Sequence, residues 1–251
     1  ALSTRTMNLP ADLTILYRDD DLLVVDKPAG LLVHRSALDA HESDTLLERL
    51  RAQLGPGGPP GLAPAHRLDK GTSGLLVLTC HARAARALGA AFEGEQVAKR
   101  YLALVRGWPA EHVDLDHALA RDPEFASTGQ PRLPARTLFD RLACFDWPFR
   151  VDSRHPTSRY ALVEARPLSG RRHQIRRHLK HLAHPIVGDA THGKGMHNRA
   201  VAAWLGTQRL WLHAQVLELP HPADGRPLRF EAPPGPEWQR LLEQVHSGCG
   251  P

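Results

Sequence analysis

His66-Arg67-Leu68-Asp69-Lys70-Gly71-Thr72-Ser73-Gly74-Leu75-Leu76-Val77-Leu78-Thr79 is the stretch on which the reading of this chain turns. A carboxylate, Asp69, stands between two cationic side chains, Arg67 and Lys70. A turn of small residues follows, and the apolar run after it reads as a buried strand. The pattern predicts an acid held on a tight, rigid turn at a strand end, where a reactive group is placed accurately. By itself, an Asp next to Gly-Thr-Ser-Gly is more often a turn-capping residue than a reactive one. The rest of the chain decides between the two.

Upstream, Leu13 to Tyr17 and Leu22 to Val25 predict a hairpin across Arg18–Asp21. Lys27-Pro28-Ala29-Gly30 predicts a turn, because Pro presets φ and Gly permits the reversed conformation, and Leu31 to His34 predicts a further strand. Asp44 is the expected N-cap of a helix through Leu54. Downstream, helices are expected over His81 to Phe92, Arg172 to Leu182 (stopped by Pro185) and Glu237 to Val245. Strands are expected over Lys99 to Val105, Tyr160 to Glu164 and Leu210 to Leu219, with loops and short strands over 106–135. Strands dominate and only sometimes alternate with helices. The expected class is therefore α+β, with a central mixed, mostly antiparallel sheet flanked by helices and loops. Residues 1–10 read as a flexible lead-in and 11–251 as a single domain.

Lys plus Arg exceed Asp plus Glu by 32 to 27 in the 251 residues, so the surface leans basic. The distribution says more than the total. Residues 166–181 hold Arg166, Arg171, Arg172, Arg176, Arg177 and Lys180 and no acid, a pattern suited to a phosphate backbone. The three cysteines, Cys80, Cys144 and Cys249, show no CxxC spacing, which points to reduced thiols and a cytoplasmic protein. No apolar run approaches the roughly 18 residues of a membrane span.

Two further segments join the first. Lys99-Arg100-Tyr101-Leu102-Ala103-Leu104-Val105 places a tyrosine on a strand, and Ser169-Gly170-Arg171-Arg172-His173-Gln174-Ile175-Arg176-Arg177-His178-Leu179 opens a basic helix with Ile175, Leu179 and Leu182 on one stripe. In this order the three segments resemble the motifs of the RluA-type pseudouridine synthases, which isomerise uridine to pseudouridine in RNA. The resemblance covers about residues 13–245 and implies the pseudouridine synthase fold. It makes Asp69 the nucleophilic carboxylate and Tyr101 the residue that stacks under the flipped base, a candidate to deprotonate C5. It makes Arg176 the partner that keeps the acid ionised. Arg67 is then the side chain that enters the RNA helix where the target nucleotide has left, and His66, Arg172 and Arg177 are candidate RNA contacts.

Val33–Asp39, Val105–Trp108, His155–Tyr160 and His184–Asp189 are similar to the tRNA-modifying branch of that family. That branch implies uridine 65 in the T-stem of tRNA as the target. The S4 module of some relatives is not expected, nor is any membrane or obligate protein partner. The isomerisation is redox-neutral, so no cofactor and no metal are expected. The histidines at 173, 178, 181 and 184 lie among arginines that would repel a cation. Gly71-Thr72-Ser73-Gly74 lacks the spacing of a nucleophile elbow, and no P-loop motif occurs. Two alternatives stay open: the same reaction on ribosomal RNA, and a non-catalytic RNA-binding protein or tRNA-folding chaperone.

Overall fold

Leu22-Leu23-Val24-Val25 and Leu75-Leu76-Val77-Leu78 are apolar at every position, as strands covered on both faces must be. All eight side chains are indeed buried. The structure, a computed structural model, describes residues 8–36, 39 and 41–245. In chain order the elements are β1 (Thr14–Arg18), β2 (Leu22–Lys27), α1 (Leu46–Leu54), β3 (Ala63–Pro64), β4 (Ser73–Thr79), α2 (Ala82–Glu93), β5 (Ala98–Arg106) and β6 (His112–Asp116). There follow β7 (Leu119–Ala120), β8 (Arg132–Leu133), β9 (Arg136–Trp147), β10 (Ser158–Pro167), α3 (Gln174–His181), α4 (Gly195–Leu205), β11 (Leu212–Pro220), β12 (Pro227–Glu231) and α5 (Gln239–Val245). The class is α+β.

The described residues divide into two compact units. The first comprises the described residues up to Lys99 together with Ala214–Pro233. Its strands run in the order β1-β2-β4-β11, with β3 on β4 and β12 on β11. The β1–β2, β2–β4 and β11–β12 ladders are antiparallel. Leu22, Val24, Leu75 and Val77 from one sheet face pack with Leu88 and Ala91 of α2. The second unit comprises Arg100–His213 and the described residues from Pro234. Its strands run β5-β10-β9-β6 in antiparallel pairs. One of its clusters seats Ile175 and Leu179 of α3 against Ala103, Val105, Ala161 and Val163, with Leu182 and Tyr101 at its margin, as the helical stripe requires.

The hairpin, the α2 helix and the strands at 98–106, 158–167 and 212–220 stand where the sequence puts them. Other expectations need correction. Leu31–His34 is no strand; only Leu32 forms a bridge, to Thr45. The α1 cap is Thr45, whose Oγ1 accepts the Glu48 N–H at 3.2 Å, while Asp44 pairs with Arg49 instead. The helix expected at Arg172 begins at Gln174, because His173 takes the left-handed conformation (φ 53°) and stands outside it. Residues 1–7, Ala37 and Leu38 of the Val33–Asp39 segment, and Cys249 lie outside the described residues.

Candidate active site

Asp69 sits, half-buried, on a turn closed by the Thr72 N–H donating to its carbonyl at 3.0 Å. Behind it Thr72 and Ser73 are buried, so the turn runs straight into β4. Gly74 has φ +109°, and a Cβ there would stand 2.1 Å from the Ala214 carbonyl oxygen, which explains the small residue at the strand start. The loop on the other side of the turn is tied by Lys27. Its fully buried ammonium donates to the carbonyls of Pro28 (2.9 Å), Leu31 (2.8 Å) and Lys70 (3.0 Å). The Gly30 N–H donates to the same Lys70 carbonyl at 2.8 Å. The residue after Asp69 is thus clamped by a buried charge and a backbone amide. In the sequence Lys27 reads only as part of a turn. A lysine directly before Pro-Ala-Gly, at the end of an apolar strand, is the signal that could have marked it.

His66 lies inside the first unit. Its Nε2 accepts the Val77 N–H at 3.0 Å and its ring stacks on Phe92 with centroids 5.3 Å apart. Burial pushes the imidazole down to about 4, aided by the charge of Lys99, so it is neutral at physiological pH. It supports the β3–β4 edge rather than presenting a cation. Arg67, by contrast, is exposed and forms no ion pair among the described residues.

Tyr101 is on β5, half-buried, with Ala165 of β10 as its register partner. Arg176 on α3 is buried, and its guanidinium meets Asp189 at two points, Nε to Oδ2 at 2.7 Å and Nη2 to Oδ1 at 2.9 Å. Burial alone would raise the Asp189 carboxyl. The Arg176 pair and the His192 N–H outweigh it and hold the group below the usual range. Asp189 was not singled out as a site residue from the sequence, although it ends the His184–Asp189 segment.

The start of α3 is fixed by a buried polar chain. Gln174 Oε1 accepts from the Arg171 N–H and the Ser169 hydroxyl, while its Nε2 donates to the Arg136 carbonyl and to Thr137 Oγ1. Thr137 Oγ1 in turn bonds His178 Nδ1 at 2.8 Å, and His178 Nε2 reaches the His117 carbonyl at 2.9 Å. With every member partnered, the helix that carries Arg176 is held in one orientation. Arg172 is ion-paired with Glu124, and Arg177 donates to the Ala120 carbonyl at 2.9 Å. His66, Arg67 and Asp69 therefore belong to the first unit, and Tyr101, Arg172, Arg176 and Arg177 to the second.

Asp19, Asp21 and His221 are grouped closely enough to hold a metal ion among the described residues. In the structure His221 Nδ1 accepts the Ala223 N–H and the Nε2 proton is donated to Asp19 at 2.8 Å.

The family model described as RNA pseudouridylate synthase matches residues 21–181, which include the Asp69 turn, the Tyr101 strand and the Arg176 helix. The chain belongs to the RNA pseudouridylate synthase family. It is accordingly an isomerase, a pseudouridine synthase. It is 41% identical to tRNA pseudouridine synthase C of Vibrio vulnificus over 92% of this chain and 95% of that protein. Against tRNA pseudouridine synthase C of Salmonella typhi the identity is 42%, over 92% and 89% of the two chains. Among solved structures, human RNA Pseudouridylate Synthase Domain Containing 1 is similar with a TM-score of 0.69 and 26% identity, covering 98% of this chain and all of that one. The α+β fold is therefore that of a pseudouridine synthase.

Proposed function

We propose that this pseudouridine synthase acts on tRNA in the cytoplasm, at uridine 65 of the T-stem, with Asp69 as its nucleophile. The observation that carries the reading is the Asp69 turn, braced by Lys27 and Gly30 through the Lys70 carbonyl, in a chain 41% identical to a protein named for tRNA. A reacting group must be held within fractions of an ångström of its target, and a turn tied at both ends does so.

The reaction breaks the C1′–N1 bond of the uridine, turns the uracil, joins C5 to C1′, and moves one proton from C5 to N1. The Asp69 carboxylate adds covalently to the ribose or the base and holds the intermediate while the ring turns. Tyr101 stacks under the flipped base and takes part in removing the C5 proton. Arg176, its fork oriented by Asp189, is the cation that favours the ionised nucleophile. A stem uridine is extruded at a cost of a few kcal/mol, and the exposed, unpaired Arg67 guanidinium fills the gap it leaves.

The test is Asp69→Asn, assayed by pseudouridine mapping and by tRNA binding. Loss of pseudouridine with binding retained supports the assignment; full activity overturns it. Pseudouridine formed in ribosomal RNA instead of tRNA would keep the chemistry and replace the substrate.

A further inference from the structure

Four groups that carry or can carry positive charge meet in the second unit, outside the residues assigned to the chemistry. The rings of His117, in the loop after β6, and His181, at the end of α3, stack at 3.8 Å with an interplanar angle of 19°. Arg132 on β8 places Nη2 3.3 Å from His117 Nε2 and donates to the Ala118 carbonyl at 2.7 Å. Arg177 donates to Ala120 on β7, the strand paired with β8. His181 and Arg132 are exposed.

Among the described residues, neither Arg132 nor Arg177 has a carboxylate within ion-pair distance. The acids of the same hairpin are committed elsewhere, Glu124 to Arg172 and Asp122 to Arg121. Like charges left together without a counter-ion destabilise one another. Burial comes first in both cases: His117 is pushed down by burial and then by its neighbours His181, Arg132 and Arg177, and Arg177 by burial and then by Arg132, with Glu124, itself paired with Arg172, pulling the other way. The backbone nonetheless holds the groups in place, since the His117 carbonyl is bonded to buried His178 on α3. A cluster whose mutual repulsion the fold maintains is relieved by an anion. Guanidinium forks are shaped for phosphate oxygens, and the stacked imidazoles place ring N–H donors beside them.

We infer that His117, His181, Arg132 and Arg177 form a binding site for a backbone phosphate of the RNA substrate. The site rests on the reading of RNA as substrate, and it adds a contact that positions the RNA rather than reacts with it. It also has a pH dependence. In the free protein the His117 imidazole is pushed below its ordinary value by burial first, and then by its neighbours His181, Arg132 and Arg177. A phosphate reverses that bias, so binding takes up protons and tightens as pH falls from 8 towards 6.

The experiment is filter binding of the full chain to a tRNA transcript over a KCl series, at pH 8 and pH 6, with pseudouridine formation measured in parallel. Arg132→Gln is expected to weaken binding about tenfold. It should reduce the slope of log affinity against log salt by about 0.7 to 0.9, the loss of one phosphate contact. The rate at saturating RNA should stay unchanged. His181→Gln should flatten the pH dependence, which serves as the second variant if Arg132→Gln folds poorly. Unchanged affinity and salt slope in both variants overturn the site. So would ring nitrogen shifts of His117 and His181 that respond to inorganic phosphate as strongly as to tRNA, which would make it a free-anion site. Failure of the functional reading looks different: wild-type protein that forms no pseudouridine while Arg132→Gln still lowers the salt slope.

Discussion

Arg176 and Asp189 face each other as a planar fork against a carboxylate, 2.7 and 2.9 Å apart at their two contacts, and Asp189 is 1% exposed. The Oδ1 atom also accepts the N–H groups of Thr191 and His192, at 3.0 and 2.9 Å. The acid therefore orients both the arginine and the loop after α3. Removing one member of a buried pair leaves the other charge without its partner, which typically costs 3–5 kcal/mol. Asp189→Asn keeps the shape and loses the charge. It is expected to lower the urea midpoint by an amount equivalent to about 3 kcal/mol, and unchanged stability would show that Arg176 does not depend on Asp189. Arg176→Lys should not rescue function, because a single ammonium cannot make both contacts.

Lys27 offers a cleaner separation of structure from chemistry. Its ammonium is bonded to three carbonyls, and one of them belongs to the residue after Asp69. Lys27→Met keeps most of the volume and takes this donor from the Pro28 and Leu31 carbonyls, while the Lys70 carbonyl keeps only the Gly30 N–H. Each unsatisfied buried group costs about 1–3 kcal/mol. The variant should bind tRNA as the parent does and turn it over more slowly, since what it loses is the placement of the Asp69 turn. A rise in KM at constant kcat would assign Lys27 to RNA binding instead.

How much of this was legible beforehand depended on the kind of signal. Leu22–Val25 and Leu75–Leu78 announce buried strands by composition alone, and the helix at 82–93 announces itself by its alanine content. Residues 136–147 went unassigned. The buried positions Thr137, Phe139, Ala143, Phe145 and Trp147 alternate, but Leu138 and Leu142 are apolar on the opposite set and Arg141 interrupts the buried one, so the sequence pattern does not show the period; the pairing itself shifts register opposite Leu162/Val163. Asp69, Tyr101 and Arg176 were legible as motif positions. Lys27, Asp189 and the Gln174–Thr137–His178 chain were not, because each acts through partners distant in sequence, up to 43 residues away for Lys27 and Lys70. A local pattern such as a lysine before Pro-Ala-Gly can mark the residue, but it cannot name a partner so far along the chain.

Two glycines near the site should differ sharply from a third. At Gly74 a Cβ would lie 2.1 Å from the Ala214 oxygen, and at Gly188 1.6 Å from the Arg209 oxygen, both backbone atoms with no room to yield. Gly74→Ala and Gly188→Ala are expected to give no soluble folded protein. Gly30 also has positive φ, +88°, yet nothing lies within 4 Å of its Cβ position. Gly30→Ala should cost only the conformational strain, about 1–2 kcal/mol. Soluble yield of the three variants, with thermal unfolding of whichever fold, checks the order, and a folded Gly74→Ala or Gly188→Ala with a loss no larger than that of Gly30→Ala would show that backbone strain rather than the close approach decides.

Acid should weaken the fold through its neutral histidines. His66, His192 and His197 are each lowered from 6.5 to about 4, in every case chiefly by burial. The unfolded chain takes up these protons near pH 6.5, while the folded one refuses them until about pH 4. The unfolded state then binds more protons across that window, so stability is full above pH 6.5 and falls as the pH drops towards 4. Urea unfolding without RNA should show the midpoint declining from pH 7 to pH 5. His66→Gln removes one of the three contributors and should make the decline shallower, although its stability at pH 7 is lower because Val77 N–H loses its acceptor. A midpoint that stays flat over the window, or the same slope in His66→Gln as in the parent, would mean that these imidazoles are not held neutral by the fold.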